Sequence, residues 1–286
     1  MQIQIPLHDI DDEFRAAHDQ RLDALRESLP RLHETARTQV ESLPALADAA
    51  FACAGFHYVH DPEATQVVGG LRLCQEALVA LFASAGTPGP STRFVGLADV
   101  TYAQKPPAAA VNIDRWLDAY FLSLIIGDLD AMQLLCAFPS ATLRASPTPG
   151  AAHRHALKEA LRAWLAKDAD VIRPIAAAII AAIDEPADPH EKFKATALAV
   201  PPLNVFRYIV ERDEVKFNGA MWDAVEEHRR FWSRSPDSAR DPRGFISLEL
   251  TGLLAMAAGA GLACGVRTPY LPRHLIREPR SARPSP

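Results

Sequence analysis

GFISLELTGLLAMAAGAGLACGVRTPYLPRHLI, residues 244–276, is the stretch whose reading decides the fold class. From Phe245 to Val266 it runs 22 residues with one formal charge, Glu249. A membrane-spanning helix needs about 20 mainly apolar residues, so length alone leaves that reading open. Composition argues against it. A carboxylate inside hydrocarbon costs about 2.5–3.5 kcal/mol on insertion scales, and the run also holds Ser247, Thr251 and the glycines Gly252, Gly259, Gly261 and Gly265. The expected element is a buried helix of a soluble protein, from Asp241-Pro242 to Gly259–Gly261. Aspartate before proline suits an N-cap with a first-turn proline, and glycine suits the stop. LACGVRT then has room for a short extended piece. TPYLPRHL reads as a rigid surface loop and short helix, with Tyr270 held between Pro269 and Pro272.

Working outward, helical patterning dominates. Asp9 to Ser28 carries Ile10, Phe14, Ala17, Leu22 and Leu25 at helical spacing, with acidic residues in the first turn. A second helical region runs from Pro30 to about Phe56 with a break or restart at Pro44, and a third from Asp61-Pro62 to Gly86. TPGPSTR (87–93) reads as a linker and RFVGLADVTY (93–102) as a strand, alongside the MQIQI start. From Asn112 helices return. LIIGDLDAMQLL (124–135), WLAKDADVIRPI (164–175) and YIVERDEVKFNG (208–219) each place Asp128, Asp168 or Asp213 after an apolar helix end. Aspartate is a strong N-cap, so these read as turns of αα-hairpins, spaced at about a two-helix repeat. The expected class is mainly α, built of packed αα-hairpins, with a repeat-like arrangement left open and one or two short strands. The expected organisation is an N-terminal helical region (1–86), the linker (87–93) and a helical region (94–286) that either packs with the first as one domain or stands apart.

The 286 residues are 49% apolar and 23% charged with a net charge of −5, an ordinary globular composition. That balance argues against a general phosphate-binding face. The four cysteines, Cys53, Cys74, Cys136 and Cys264, lack CxxC spacing and read as free, buried thiols of a reduced, cytoplasmic protein. MQIQIPLHDIDDEF has no basic or apolar signal region. His57–His60 and His153–His155 lack the HExxH arrangement, so no metal ligand is assigned from either pair. The DIDDE cluster at 9–13 resembles a magnesium-binding motif of prenyl-diphosphate enzymes, but Trp222 stands between Asn218 and Glu226 where a hydroxyl is needed. No phosphate loop or nucleophile elbow occurs, and VVGG (67–70) reads as a site of close helix packing. No catalytic residue and no cofactor are expected.

EVKFNGAMWDAVEEHRRFWSRS (214–235) is the most distinctive cluster. Phe217, Met221, Ala224, Val225, His228 and Trp232 form one apolar stripe, with charges elsewhere. It reads either as a core helix with a solvated face or as a partner-binding surface using Glu226, Glu227, Arg230 and Trp232, joined by Tyr270.

GDLDAMQLLCAFP, RDEVKFNGAMWDAVEEHRRFW and DPRGFISLELTGLLAMAAGAGLACGVRTPYLPRHLI together resemble the immunity protein 49 family of bacterial polymorphic toxin systems, over roughly residues 93–277. The FN…HRRFW…GFISL…YLP succession is the most specific part, and the N-terminal third matches only in helical character. The resemblance implies a mainly α-helical cytoplasmic protein that binds and neutralises a cognate toxin domain, with no membrane or nucleic-acid contact. Its recurring positions match Phe217, Asn218, His228, Trp232, Gly244, Tyr270, Leu271 and Pro272, most of them expected to maintain the fold. The negative charge would speed encounter with a basic, nuclease-type toxin. Two alternatives stay open: a helical-repeat scaffold without a toxin partner, and an enzyme that reverses toxin damage.

Overall fold

A computed structural model describes residues 3–8, 12–96, 98–184 and 188–277, and the chain is mainly α. Asp9, Ile10 and Asp11 of the acidic cluster lie outside the described residues. Compactness divides the chain near residue 150. Ile10–Pro149 form one unit, and Gly150–Glu278 with the first nine residues form the other. The expected boundary at 87–93 thus falls inside the first of these, where Ser91–Arg93 already belong to a strand.

In the 10–149 unit, α1 (Asp12–Ala36) runs straight through Pro30. The break comes after it, at a 3₁₀ turn over Val40–Ser42, and α2 (Leu43–His60) restarts with Pro44 in its first turn, where a missing N–H costs nothing. α2 packs closely on α3 (Thr65–Gly86), whose start lies at Thr65 rather than Asp61-Pro62. Gly70 makes that approach feasible: a Cβ there would sit 2.9 Å from both the Ala50 carbonyl and the Ala54 Cβ. α3 is long and apolar enough to cross a membrane, yet 61% of its apolar window is buried within the protein. Lys105 donates to the Ser84 and Ala85 carbonyls (3.0 Å each) and to Thr87, closing the C-terminal end of α3.

The single strand expected at 93–102 is a hairpin, β2 (Ser91–Val95) against β3 (Ala98–Tyr102) in antiparallel register. Gly96 at φ +67° turns it, and a side chain there would collide with His33, whose Nε2 lies 3.1 Å from the Val95 carbonyl. α4 (Ile113–Ile126) then stacks on α3. Its Trp116 donates to the Leu135 carbonyl (2.8 Å) of α5 (Leu129–Ala137) and stacks on Tyr120. Buried Gln75 donates to Ser123 (3.2 Å) and to the Asp128 carboxylate (3.0 Å), so α3, α4 and the cap of α5 share one polar link. A short α6 (Ser140–Arg144) closes the unit.

The other unit holds α7 (Ala152–Leu165), α8 (Ile172–Asp184), α9 (Pro189–Leu198), α10 (Val200–Glu211), α11 (Glu214–Trp232), the single turn α12 (Pro236–Ala239) and α13 (Leu248–Gly259). α7 packs on α8 and α10 on α11, as hairpins should. α13 begins six residues later than the Asp241-Pro242 expectation, because Asp241 caps a separate 3₁₀ turn over Pro242–Gly244. At 12 residues it is about 18 Å long, well short of the roughly 30 Å of hydrocarbon a bilayer presents. Its carboxylate, Glu249, is 3.9 Å from Arg154 of α7. The extended piece after it is β4 (Val266–Arg267), parallel to β1 (Ile3–Gln4). All four cysteines are thiols rather than disulfides; Cys53 and Cys74 are buried, whereas Cys136 and Cys264 are only half-buried.

Candidate functional site

The motif positions of α11 meet the C-terminal stretch at two levels along the helix, Asn218 near its start and His228 with Trp232 near its end. Phe217 is fully buried on the inner face of α11. One turn of helix positions Asn218 beside the strand-entry segment: its amide donates to the Glu214 and Ala263 carbonyls (2.9 Å each) and its oxygen accepts from the Gly265 N–H at 2.7 Å. Asn218 therefore fixes residues 263–265 just before β4. Nearly three turns further on, His228 Nε2 lies 3.1 Å from the Gly244 carbonyl. Burial holds its imidazole down at about 4, against the upward pull of that bond. Gly244 is pressed on Trp232, so a Cβ would sit 2.9 Å from Cγ and 3.0 Å from Cδ2 of the indole.

Tyr270 was expected on a surface loop; it is instead 0% exposed. Its hydroxyl accepts from the His8 N–H (2.9 Å) and bonds His8 Nδ1 (2.8 Å), while its ring meets His228 edge to face. Burial raises the phenol to about 12. Leu271 and Pro272 are buried as well, and Arg273 donates to the Cys264 and Val266 carbonyls (2.8 and 2.6 Å). The tyrosine turns inward because a hydroxyl bonded by both the N–H and Nδ1 of His8 is better satisfied inside than on a solvated loop.

Of the other partner-surface candidates, Trp232 is half-buried on Gly244, and Glu226 and Glu227 are half-exposed. Arg230 is exposed and paired with Glu227 at 3.1 Å. Its guanidinium and that of Arg234 lie over Phe193 of α9, which stacks on Phe231. This face is thus an arginine–aromatic cluster already engaged with itself. α8 presents a different surface. Ile172, Ile180 and Ile183 are 37%, 60% and 47% exposed, with exposed Ala176 and Ala177 between them. The opposite side of α8 carries the buried Ile175, Ala178 and Ala182. Sequence reasoning passed over this helix, although IRPIAAAIIAAID has ten Ala or Ile among its 13 residues, more apolar surface than one buried face can hold.

Residues 61–275 match the model of the family described as Immunity protein 49. The chain belongs to the immunity protein 49 family. No curated protein and no solved structure matches it. Membership reaches further toward the N-terminus than the resemblance from residue 93 suggested, taking in α3 and the hairpin. The buried cluster of His228, Gly244 and Tyr270 belongs to the immunity protein 49 segment; its fourth member, His8, does not. Another group outside that segment was also missed by sequence reasoning: His18 and Asp19 of α1 approach His60 at the end of α2.

Proposed function

We propose that this immunity protein 49 chain is a stoichiometric inhibitor, cytoplasmic in a bacterial cell, that binds a cognate toxin domain of a polymorphic toxin system and covers its working surface. The family match over residues 61–275 carries the reading. The exposed isoleucine stripe of α8 supplies the core of the contact. Apolar side chains of this size return about 1.5–3 kcal/mol each when fully buried, and contiguous exposed apolar patches mark interaction surfaces. A stable complex buries about 1,200–2,000 Å² in total, so polar residues around the stripe must complete it. The net charge of −5 favours encounter with a basic toxin of the nuclease type. No catalytic step by this chain is required.

The test is co-expression with the toxin encoded beside it, read by growth and by pull-down. Rescue with a 1:1 complex is the expected result. An Ile180→Asp/Ile183→Asp variant should keep its helical circular dichroism and lose both rescue and complex. Glu226→Ala and Glu227→Ala/Arg230→Ala, on the α11 face, should change binding by less than about tenfold, since solvent-exposed ion pairs contribute about 0–1 kcal/mol. Rescue with no complex would sink the proposal in favour of an enzyme that reverses damage. A complex that survives the α8 substitutions would transfer the interface to α11.

A further inference from the structure

The geometry points to a divalent transition-metal site, of the zinc class, built from His18, Asp19 and His60. His18 Nδ1 lies 3.2 Å from His60 Nε2, and His60 Nε2 lies 3.0 Å from Asp19 Oδ1. The three donor atoms all fall within 4.8 Å of one another. Two ligands on one zinc ion, each about 2.0–2.1 Å from it, stand roughly 3.3 Å apart in tetrahedral geometry. Two edges of the triangle are therefore already at coordinating length, and the third is no longer than 4.8 Å.

The chemistry of the three atoms favours a cation over a hydrogen-bond triad. His60 Nε2 faces both neighbours at once, yet it carries either one hydrogen or one lone pair. If it carries the hydrogen, that hydrogen is shared between a carboxylate and an imidazole. If it carries the lone pair, it accepts from His18 and points that pair at a carboxylate oxygen. A metal ion at the centre accepts a lone pair from all three atoms. The donor set of two imidazoles and one carboxylate suits zinc, nickel, cobalt or copper, whereas magnesium and calcium prefer oxygen ligands.

Placement adds to this. His18 is 1% exposed and its ring packs edge-on against Phe56, so one ligand is fixed in orientation. The His60 and Asp19 side chains are 37% and 63% exposed, which gives an ion an entry path and leaves water access to the remaining coordination positions. The ion would tie α1 to the C-terminal end of α2, two helices that already pack together. All three ligands precede residue 61 and so lie outside the family-matched segment. The site therefore stands or falls independently of the toxin-binding reading. It also departs from the sequence-level expectation that assigned no metal to His57–His60; His60, the last residue of that stretch, could not reveal a partner 42 positions away.

The experiment is zinc titration of untagged, chelator-treated full-length protein by calorimetry at pH 7.5, with thermal unfolding followed in parallel. We expect one ion per chain with micromolar or tighter affinity, not displaced by millimolar magnesium, and a rise in the unfolding temperature. Asp19→Asn and His60→Gln, both at partly exposed positions, should keep the native circular dichroism. Each should weaken zinc by at least about 100-fold, the upper end of what loss of an outer-shell partner costs. His190→Gln, at an exposed histidine on α9, should bind as the parent does. Absence of stoichiometric binding, or affinity unchanged in both ligand variants, would overturn the proposal.

Discussion

His228 ties a single residue to the pH dependence of the whole fold. Its imidazole is held neutral by burial, with a folded-state value of about 4 against an ordinary 6.5. Between those values the unfolded chain binds a proton that the folded chain refuses. The contribution is therefore fully present above pH 6.5 and is lost as pH falls toward 4, approaching about 3 kcal/mol at the end of that window. Urea unfolding at a series of pH values should show this loss, and His228→Gln, which can still donate to Gly244 but cannot take up a proton, should show a flatter profile. Identical slopes would remove His228 as the source. Glu76 has the opposite sign. Burial raises its carboxyl to about 7, although the Gly96 N–H donates to it at 2.8 Å. Its favourable contribution is complete below about 4.5 and is lost as pH rises through 7. Glu76→Gln should be more stable than the parent by ~1 kcal/mol at pH 8, allowing for solvent screening of a half-buried group, and should gain nothing at pH 4.

At the scale of elements, the three aspartate turns are the part of the fold most legible in the sequence. Each turn closes the preceding helix with the same long bond: Asp128 N–H to Ser123 O (2.9 Å), Asp168 N–H to Ala163 O (2.9 Å) and Asp213 N–H to Tyr208 O (3.1 Å). The residue before each aspartate is left-handed: Gly127 at φ +79°, Lys167 and Arg212 at +55°. Asp128 and Asp213 then cap the next helix, accepting from Ala131 and Lys216. Lys167 and Arg212 occupy a conformation that glycine adopts without a Cβ clash, so Lys167→Gly and Arg212→Gly should each stabilise by about 0.5–1 kcal/mol, less than the full left-handed penalty because glycine also frees the unfolded chain. A fall in unfolding temperature for either variant would refute this account of the turns. These features were readable because cap, turn and stop are decided within six residues. The same locality explains the end of α13. What was not readable depended on distant partners: Pro30 is absorbed by α1, Tyr270 is drawn inward by His8, 262 residues away, and the acid-rich start of the chain gives no sign that His18 meets His60.

For the molecule as a whole, the chain order and the packing order disagree. Residues 3–8 come first in the sequence but belong with Gly150–Glu278, so the unit that contains most of the motif positions is completed by a segment about 150 residues upstream of it. Their contribution is specific. β1 pairs with β4, the Ile5 N–H donates to the Arg267 carbonyl (3.2 Å), and Ile5 itself is 1% exposed. His8 stacks on Phe245, supplies both partners of the Tyr270 hydroxyl, and its Nε2 lies 3.0 Å from the Ala239 carbonyl. Removing residues 1–8 strips the Tyr270 hydroxyl of those partners and exposes an apolar surface whose burial of Ile5 alone is worth about 1.5–3 kcal/mol. Hydrogen exchange should locate the damage: amides of 239–271 should lose protection, while those of α2 and α3 (43–86) should keep it, because the described contacts of Ile5 and His8 are made to Ala239, Phe245, Arg267 and Tyr270, all within the Gly150–Glu278 unit. A Tyr270→Phe variant separates the two causes, since it keeps the strand and Ile5 but leaves the His8 N–H without its acceptor. It should lose protection around 244–247 and 268–271 while keeping it at 266–267. Equal loss in both variants would make the hydroxyl, rather than the strand, the element that holds this segment in place.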